Sequence, residues 1–148
     1  MPSCFDAARF FLSLVDEDVG DVMTNLKLQK LVYYAQGFHL AIYDNPFFAE
    51  RIYAWEYGPV VPVLYHALKA KGSSPVLISD LDSCPRTRIE NGAKKLLAEI
   101  NSVYGQFSAV RLMQLTHREP PWTETPKGSV ISHDLMKRFF RTRLKGND

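Results

Sequence analysis

The chain has 148 residues, 46% of them hydrophobic and 23% charged, and its formal net charge is +2. We therefore expect residues 1–148 to form one soluble globular domain, and the near-neutral charge gives no general indication of nucleic-acid or membrane binding. No apolar stretch approaches the about 18 residues typical of a membrane span, and the first residues lack the basic region of a signal peptide. Cys4 and Cys84 belong to no CxxC or Cys/His cluster, so free thiols in a reducing cytoplasm are expected.

The first two helices are predicted by their caps and by apolar spacing. Ser3 caps the first helix, with Asp6 in the capping-box position. Thr24 and Asn25 each offer a side-chain oxygen to the start of a second helix that runs to Tyr43. This helix has one apolar face and two further lines of mixed character, formed by Leu28, Leu31, Val32, Ala35, His39 and Ile42, by Leu26, Tyr33 and Leu40, and by Lys27, Lys30 and Tyr34. Because a helix that is apolar on several sides is usually packed on several sides, we expect it to be the central helix.

An extended segment and a third helix are predicted next. After an Asp-Asn-Pro break, residues 47–57 show the period-two pattern of a short strand. Gly58-Pro59 closes that segment. Pro59 and Pro62 are both compatible with the first turn of a helix that extends to Lys71.

Three more helices are predicted in the second half of the chain. After a loop over residues 73–85, with at most a short extended piece at 76–78, a helix is expected from Arg86 to Tyr104. Ser108 caps a short helix that stops at the Pro-Pro-Trp sequence, and Ser132 caps the last helix. The predicted fold is therefore mainly α, a compact bundle of about six helices around the central helix 24–43, with one short extended segment near 47–57.

The sequence gives little support for catalysis. The four histidines lie in separate segments, none with a second ligand at a metal-binding spacing, so neither a metal nor a cofactor is expected. His117 with Glu119 is the best local acid/base pair, but no nucleophile or substrate pocket accompanies it. Cys84 lies in a Ser/Asp/Pro loop without the pattern of an activated thiol. We therefore predict that the chain is not an enzyme.

The last helix is the segment best suited to nucleic acid. Its outer face carries Lys137, Arg138, Arg141, Arg143 and Lys145, which are able to meet phosphates. The domain as a whole is nearly neutral, however, and a charged outer helix face is usually a solvated surface. Nucleic-acid binding is therefore the weaker interpretation.

Large amphipathic side chains point to packing or to a protein partner. Tyr33, Tyr34, Trp55, Tyr57 and Trp122 lie in the central helix or beside turns. Such residues fill cores, and they also form interfaces because they bury a large area for little rotamer entropy. The residues alone leave both interpretations open.

Three sequence blocks, in this order, resemble a known family. They are TNLKLQKLVYYAQGFHLA, IYAWEYGPVVPVLYHALK and LMQLTHREPPW, and the later ISHDLMKRFF is similar to the family's closing helix. Over residues 5–140 the chain resembles the SocA-like antitoxin domain, also called the Panacea domain. The combination of LxLQKLxYY, AWxxGPVxPxxY and LTHxExPW is much more specific than any one block.

The resemblance implies a compact, mainly helical domain found in bacterial and prophage genes, often beside a toxin gene. Members neutralise a partner toxin by direct binding, one member type is an adaptor that passes its toxin to a protease, and some relatives carry an added DNA-binding domain. The family has no agreed catalytic residues. The expected partner is therefore a cognate toxin, with a proteolytic adaptor and a small nucleic-acid-binding regulator as the alternatives.

The candidate residues either bind the partner or define the fold. The resemblance gives Gln29, Lys30, Tyr33, Trp55, Gly58, Pro59, Thr116, His117, Pro121 and Trp122. The mixed line of the central helix adds Lys27 and Tyr34, and the aromatic side chains beside the turns add Tyr57. Gly58-Pro59 is expected to force the turn from extended chain into helix, and Thr116-His117 to hold a helix end over Trp122. Lys30, a lysine among aromatic residues, either pairs internally or meets an acidic partner.

Overall fold

A computed structural model of the chain describes residues 1–144, apart from the side chain of Glu17. The helices in this range are α1 Cys4–Ser13, α2 Asn25–Tyr43, α3 Pro62–Leu68, α4 Asn91–Tyr104, α5 Ala109–Thr116, α6 Pro120–Thr123 and α7 His133–Arg141. Two strands, β1 Tyr53–Trp55 and β2 Gly58–Val60, and short 3-10 helices at Glu17–Val19, Lys69–Lys71 and Ile78–Leu81 complete the inventory. The predicted mainly helical fold is confirmed, while the position predicted for Lys145 lies outside the described residues.

Helix α2 is the centre of the fold, as predicted. It contacts α1, α3, α4, α5, α7 and β2, and residues 28–37 are all buried. Gly37 allows a close approach of α7, because the ring of Phe140 on that helix occupies the space in which a Cβ would lie. The predicted core face ends early, since Ile42 is 45% exposed in the last turn of α2.

Side-chain caps fix the starts of four helices at the predicted residues. Ser3, Thr24, Ser108 and Ser132 each accept a hydrogen bond from the backbone N–H three residues further on. Asp6 completes the capping box of α1. Each cap satisfies a backbone donor that the helix itself leaves free, so the short-range signal is sufficient at these positions.

Helix α4 begins at Asn91, and the prediction of a start at Arg86 is wrong. Arg9 donates from Nη2 to three carbonyl oxygens between residues 81 and 85, at distances of 2.7 to 3.1 Å. Asp6, 3.2 Å from Arg9 in a buried ion pair, accepts from a backbone N–H of the same region. These bonds to α1 hold the segment before α4 in a non-helical path. Within residues 73–85, Leu77 is extended as predicted, but the extended piece ends before Ile78, where the 3-10 helix Ile78–Leu81 begins.

The predicted extended segment is one strand of a hairpin. Strands β1 and β2 pair in antiparallel orientation, and residues 128–131 follow the other edge of β1, where the Ala54 N–H donates to the Ser129 carbonyl at 3.0 Å. Pro59 lies in β2 and α3 begins at Pro62, so the prediction of Pro59 in a helical first turn is wrong. Gly58-Pro59 continues the chain into a second strand instead of turning it into a helix.

Candidate functional site

The three sequence blocks meet at Gly58. Its φ of +108° is one that side chains rarely adopt, and a Cβ at this position would lie 2.8 Å from Thr116 Oγ1 and 2.9 Å from Lys30 Cε. Helix α2, the hairpin and the end of α5 therefore approach one another at a point where only hydrogen fits. Thr116 is fully buried there and donates its hydroxyl hydrogen to the Met113 carbonyl at 2.9 Å.

Lys30 is fully buried between α2 and the hairpin. Its Nζ donates to the Pro59 carbonyl at 3.1 Å, and it forms no ion pair with a carboxylate of residues 1–144. Burial lowers the pKa of Lys30 to about 7, because the charged form loses its hydration. Lys30 therefore bonds internally, to a backbone carbonyl, and does not reach the surface where it could meet an acidic partner.

Gln29 joins α2 to the chain just after β2. Its Oε1 accepts from the Val61 N–H at 2.9 Å, and its Nε2 donates to Asn25 Oδ1 at 2.9 Å. Asn25 in turn donates to the Tyr65 carbonyl in α3 at 3.3 Å. Because every buried polar group in this chain of bonds has a partner, the hairpin and α3 are held in a fixed position against α2.

Glu119 accepts two tyrosine hydroxyl hydrogen bonds. Tyr33 donates to Oε1 at 2.9 Å and Tyr34 to Oε2 at 2.8 Å, while the Tyr34 ring stacks on Tyr104 with centroids 4.0 Å apart. Burial raises the pKa of Glu119 to about 7, although the tyrosine hydrogen bonds act in the opposite direction. Burial also raises the pKa of both bonded tyrosines. The sequence suggests Glu119 only as an acid/base partner of His117. The block pattern LTHxExPW contains it, but its bonds cross more than eighty residues and no local signal reveals them.

His117 packs on Trp122. The two rings are stacked with centroids 4.1 Å apart, and the Trp122 Nε1 donates to the Trp55 carbonyl at 2.7 Å. His117 Nε2 is buried without a hydrogen-bond partner in residues 1–144. Burial, and then the nearby Lys30 charge, lower the pKa of His117, against a hydrogen bond with the backbone of Glu56. The expectation that this helix end lies over Trp122 matches the observed stacking.

The two prolines of the third block have a role that differs from the predicted one. Helix α5 ends at Thr116, before them, and Pro120 and Pro121 then begin the short helix α6. Proline is suited to the first turn of a helix, because the missing N–H would have no partner there. Pro121 is buried, and α6 positions Trp122 beside the hairpin.

A groove of about 1010 Å³ opens between the hairpin, the start of α2, α3, α5 and α6. We call it the aromatic groove and define it by its lining side chains Leu26, Trp55, Tyr57, Val60, Tyr65 and Trp122. Trp55 and Tyr65 make an edge-on ring contact with centroids 5.2 Å apart. Tyr57, in the turn of the hairpin, is 59% exposed. The groove thus presents apolar side chains whose positions are largely fixed by contacts within the domain.

The structure divides the candidate residues into separate groups. Gln29, Trp55, Tyr57 and Trp122 line the aromatic groove, whereas Lys30, Gly58, Pro59, Thr116 and His117 form the packed junction described above. Tyr33 and Tyr34 are turned to Glu119. Lys27 lies apart, donating to the Gly105 carbonyl at 2.6 Å, and burial lowers its pKa.

The basic face of α7 is partly balanced by acids. Lys137 Nζ lies 2.9 Å and Arg141 Nη2 3.6 Å from the same Asp44 carboxylate, and Arg138 lies 3.3 Å from Asp134. The hydrogen bond and charge of Lys137 lower the pKa of Asp44. Three of the cations that would meet phosphates therefore already have carboxylates nearby.

Comparison with known proteins identifies the family. The family described as "Antitoxin SocA-like, Panacea domain" matches residues 28–123, a range that contains the junction at Gly58 and most of the aromatic groove. The chain belongs to this family. It is also 31% identical, over 159 aligned positions covering 97% of this chain and 82% of the relative, to "Antitoxin SocA" of Caulobacter vibrioides (strain NA1000 / CB15N). No solved structure matches the chain.

Two further properties concern only the part of the chain that is described. Within residues 1–144, no group of three or more His, Cys, Asp or Glu side chains is placed to hold a metal ion. None of the helices there combines the length and hydrophobicity needed to cross a membrane. Membership of an antitoxin-like family thus remains the finding that bears most directly on function.

Proposed function

We propose that this protein is the antitoxin of a toxin–antitoxin pair, and that it neutralises its partner toxin by direct, non-catalytic binding through the aromatic groove. The main support is that residues 28–123, the segment that matches the antitoxin family, contain most of the residues that line this groove. The relative named Antitoxin SocA aligns with nearly the whole chain.

The shape and composition of the groove support a role in binding a protein. Trp and Tyr are the residues that most often dominate the free energy of protein interfaces, and the groove brings together Trp55, Tyr57, Tyr65 and Trp122. The Trp122 indole is fixed by its hydrogen bond to the Trp55 carbonyl. Side chains that are already ordered lose little entropy on binding, so a preformed aromatic surface favours affinity.

Three side chains with acid/base or nucleophilic chemistry are engaged in structural contacts or buried, which supports a non-catalytic role. The Glu119 carboxylate is bonded to two tyrosine hydroxyls, and the His117 ring is stacked on Trp122. Cys4 is fully buried, and burial raises the pKa of its thiol, which opposes formation of a thiolate nucleophile.

The test is co-expression with the product of the adjacent gene. We expect that product to arrest growth when expressed alone, the present protein to restore growth, and the two to co-purify. The amount of toxin during rescue separates two mechanisms, since an occluding antitoxin leaves the toxin level unchanged and a proteolytic adaptor lowers it. Failure of both co-purification and growth rescue would contradict the proposal.

A further inference from the structure

The charges that line the aromatic groove indicate what kind of segment it receives. Lys69 and Lys127 line it, together with Glu56. Neither lysine forms an ion pair within residues 1–144. Two lysines without carboxylate partners, beside four aromatic rings, complement a ligand that is both apolar and negatively charged.

Lys127 is held where a carboxylate can replace its present contacts. Its Nζ lies 3.6 Å from the centroid of the Trp122 ring, and its carbonyl contacts, to Trp122 and Thr125, are long at 3.4 and 3.5 Å. An ammonium group over an aromatic face keeps its charge and orients it without neutralising it. A ligand carboxylate at this edge of the groove would therefore gain a charge-assisted hydrogen bond.

The open edge of the groove favours a peptide segment over an enclosed small ligand. Its volume of about 1010 Å³ lies at the upper end of the roughly 300 to 1,000 Å³ typical of pockets for drug-sized molecules, which enclose most of the ligand surface. Its edge is formed by Tyr57, which is 59% exposed in the hairpin turn. An open groove with aromatic walls suits one large apolar side chain carried by a longer segment.

We propose that the aromatic groove binds a peptide segment of the partner protein that carries a large apolar side chain next to one or more carboxylates. The apolar side chain packs among Trp55, Tyr65 and Trp122, and the carboxylates meet Lys69 and Lys127. The proposal rests on the proposed function, because it describes the part of the toxin that the antitoxin contacts.

A random peptide library displayed on phage tests the groove even when the toxin has not been identified. We expect panning against the wild-type protein to select Trp, Phe, Leu or Ile flanked by Asp or Glu. Synthetic peptides with the selected sequence should lose about tenfold or more in affinity, or about 1.4 kcal/mol, when the groove is filled by Ala109→Trp or when Lys69→Glu and Lys127→Glu reverse its charge. Binding should also weaken as salt concentration rises.

Matched controls separate the groove from general effects on the fold. Val110→Trp introduces the same side chain at the neighbouring exposed position of α5, and Lys94→Glu with Lys95→Glu reverses two exposed charges on α4. Neither change should alter peptide affinity. The proposal would be overturned if no peptide were selected or if the selected consensus were basic. It would also be overturned if the selected peptides bound Ala109→Trp as tightly as wild type. The purified protein could also form a dimer or retain a small molecule. If Ala109→Trp alone abolished that dimer or that bound molecule, the groove would be assigned to that occupant, and the peptide proposal would be overturned.

The same variants distinguish this proposal from the proposed function. If the wild-type protein binds the adjacent gene product and restores growth, and Ala109→Trp and the charge reversal do the same, the antitoxin function stands. The groove is then not the surface that binds the toxin, and the peptide proposal is wrong. If the wild-type protein does not bind that product, the function is wrong, while the peptide selection still decides whether the groove recognises acidic, apolar segments.

Discussion

The side-chain nitrogen Nζ of Lys30 donates a hydrogen bond to the carbonyl oxygen of Pro59 at 3.1 Å, inside a contact from which solvent is excluded. The contact joins the first sequence block to the second, and Thr116 of the third block lies against the same glycine, Gly58. A buried lysine that bonds only to a carbonyl is costly when charged, because a neutral dipole does not replace its hydration.

Lys30→Met should change how stability depends on pH. The pKa of Lys30 is lowered from 10.5 to about 7, so between these values the unfolded chain binds a proton that the folded chain does not. Wild-type stability should therefore rise with pH across this window, by on the order of 5 kcal/mol in total. Urea denaturation of both proteins from pH 7 to 10 gives the difference between their free energies of unfolding at each pH. The contributions of other titrating groups are common to both proteins and cancel in this difference. A constant difference between variant and wild type would show that Lys30 is charged in the folded state.

Glu119→Gln should remove the opposite dependence at lower pH. Burial raises the pKa of Glu119 from 4.5 to about 7. Between these values the folded chain binds a proton that the unfolded chain lacks, so this group makes wild-type stability fall as pH rises through the window, by on the order of 3 kcal/mol. The stability of the wild type relative to the variant should therefore be greater at pH 5 than at pH 8, because the other titrating groups contribute equally to both proteins. Equal slopes in the two proteins would contradict the assignment.

Gly58→Ala should destabilise the fold more than Gly20→Ala. Both positions have a positive φ, of +108° and +81°, so both alanines carry backbone strain. Only at position 58 does the new Cβ meet atoms closer than 3 Å, on Thr116 and Lys30, while nothing lies within 4 Å at position 20. We expect the Gly58→Ala loss in unfolding free energy to exceed the other by about 1–3 kcal/mol. Similar losses, measured by urea denaturation, would mean that the junction is loosely packed.

Arg9→Ala should cost about 3–5 kcal/mol in unfolding free energy. The variant leaves Asp6 buried without its cation and removes the donor for three carbonyl groups between residues 81 and 85. The matched control is Lys71→Ala, which removes one side of a partly exposed pair with Asp80 and should cost less than about 1 kcal/mol. Comparable losses in both variants would indicate that the bonds from Arg9 to the segment before α4 contribute little to stability.

The parts of the fold that the sequence predicts well are those with local causes. Ser3, Thr24, Ser108 and Ser132 act as caps within one turn of their helices, and the many-sided apolar pattern of α2 reflects its burial on all sides. Neither a cap nor a periodic pattern depends on what the rest of the chain does, which is why both can be read in order along the sequence.

The errors arise where distant residues decide the local path. Pro59 is compatible with a helical first turn, but Lys30 and Gln29 bind the chain around it and hold a strand there. The helical pattern after Arg86 is overridden by Arg9, more than seventy residues earlier. In both cases a tertiary contact outweighs a local preference.

The candidate site could be predicted only in part. The resemblance of the blocks gives Trp55 and Trp122, and the aromatic content adds Tyr57, but neither gives their arrangement or a role for Glu119 or Lys127. The groove exists because segments far apart in the sequence face each other, and a cavity has no signature in any one of them. For Tyr33 and Tyr34 the sequence leaves open whether they pack in the core or form an interface, and the structure shows both side chains fully buried.

The most direct measurement is calorimetric titration of the purified protein with the purified product of the adjacent gene. The account predicts a saturable complex with a Kd of about 1 μM or tighter, an affinity about a hundredfold weaker for Ala109→Trp, and unchanged binding for Val110→Trp. All three proteins should have the same circular dichroism spectrum. Absence of binding by the wild-type protein, or equal affinities of the two tryptophan variants, would contradict an antitoxin that acts through the aromatic groove.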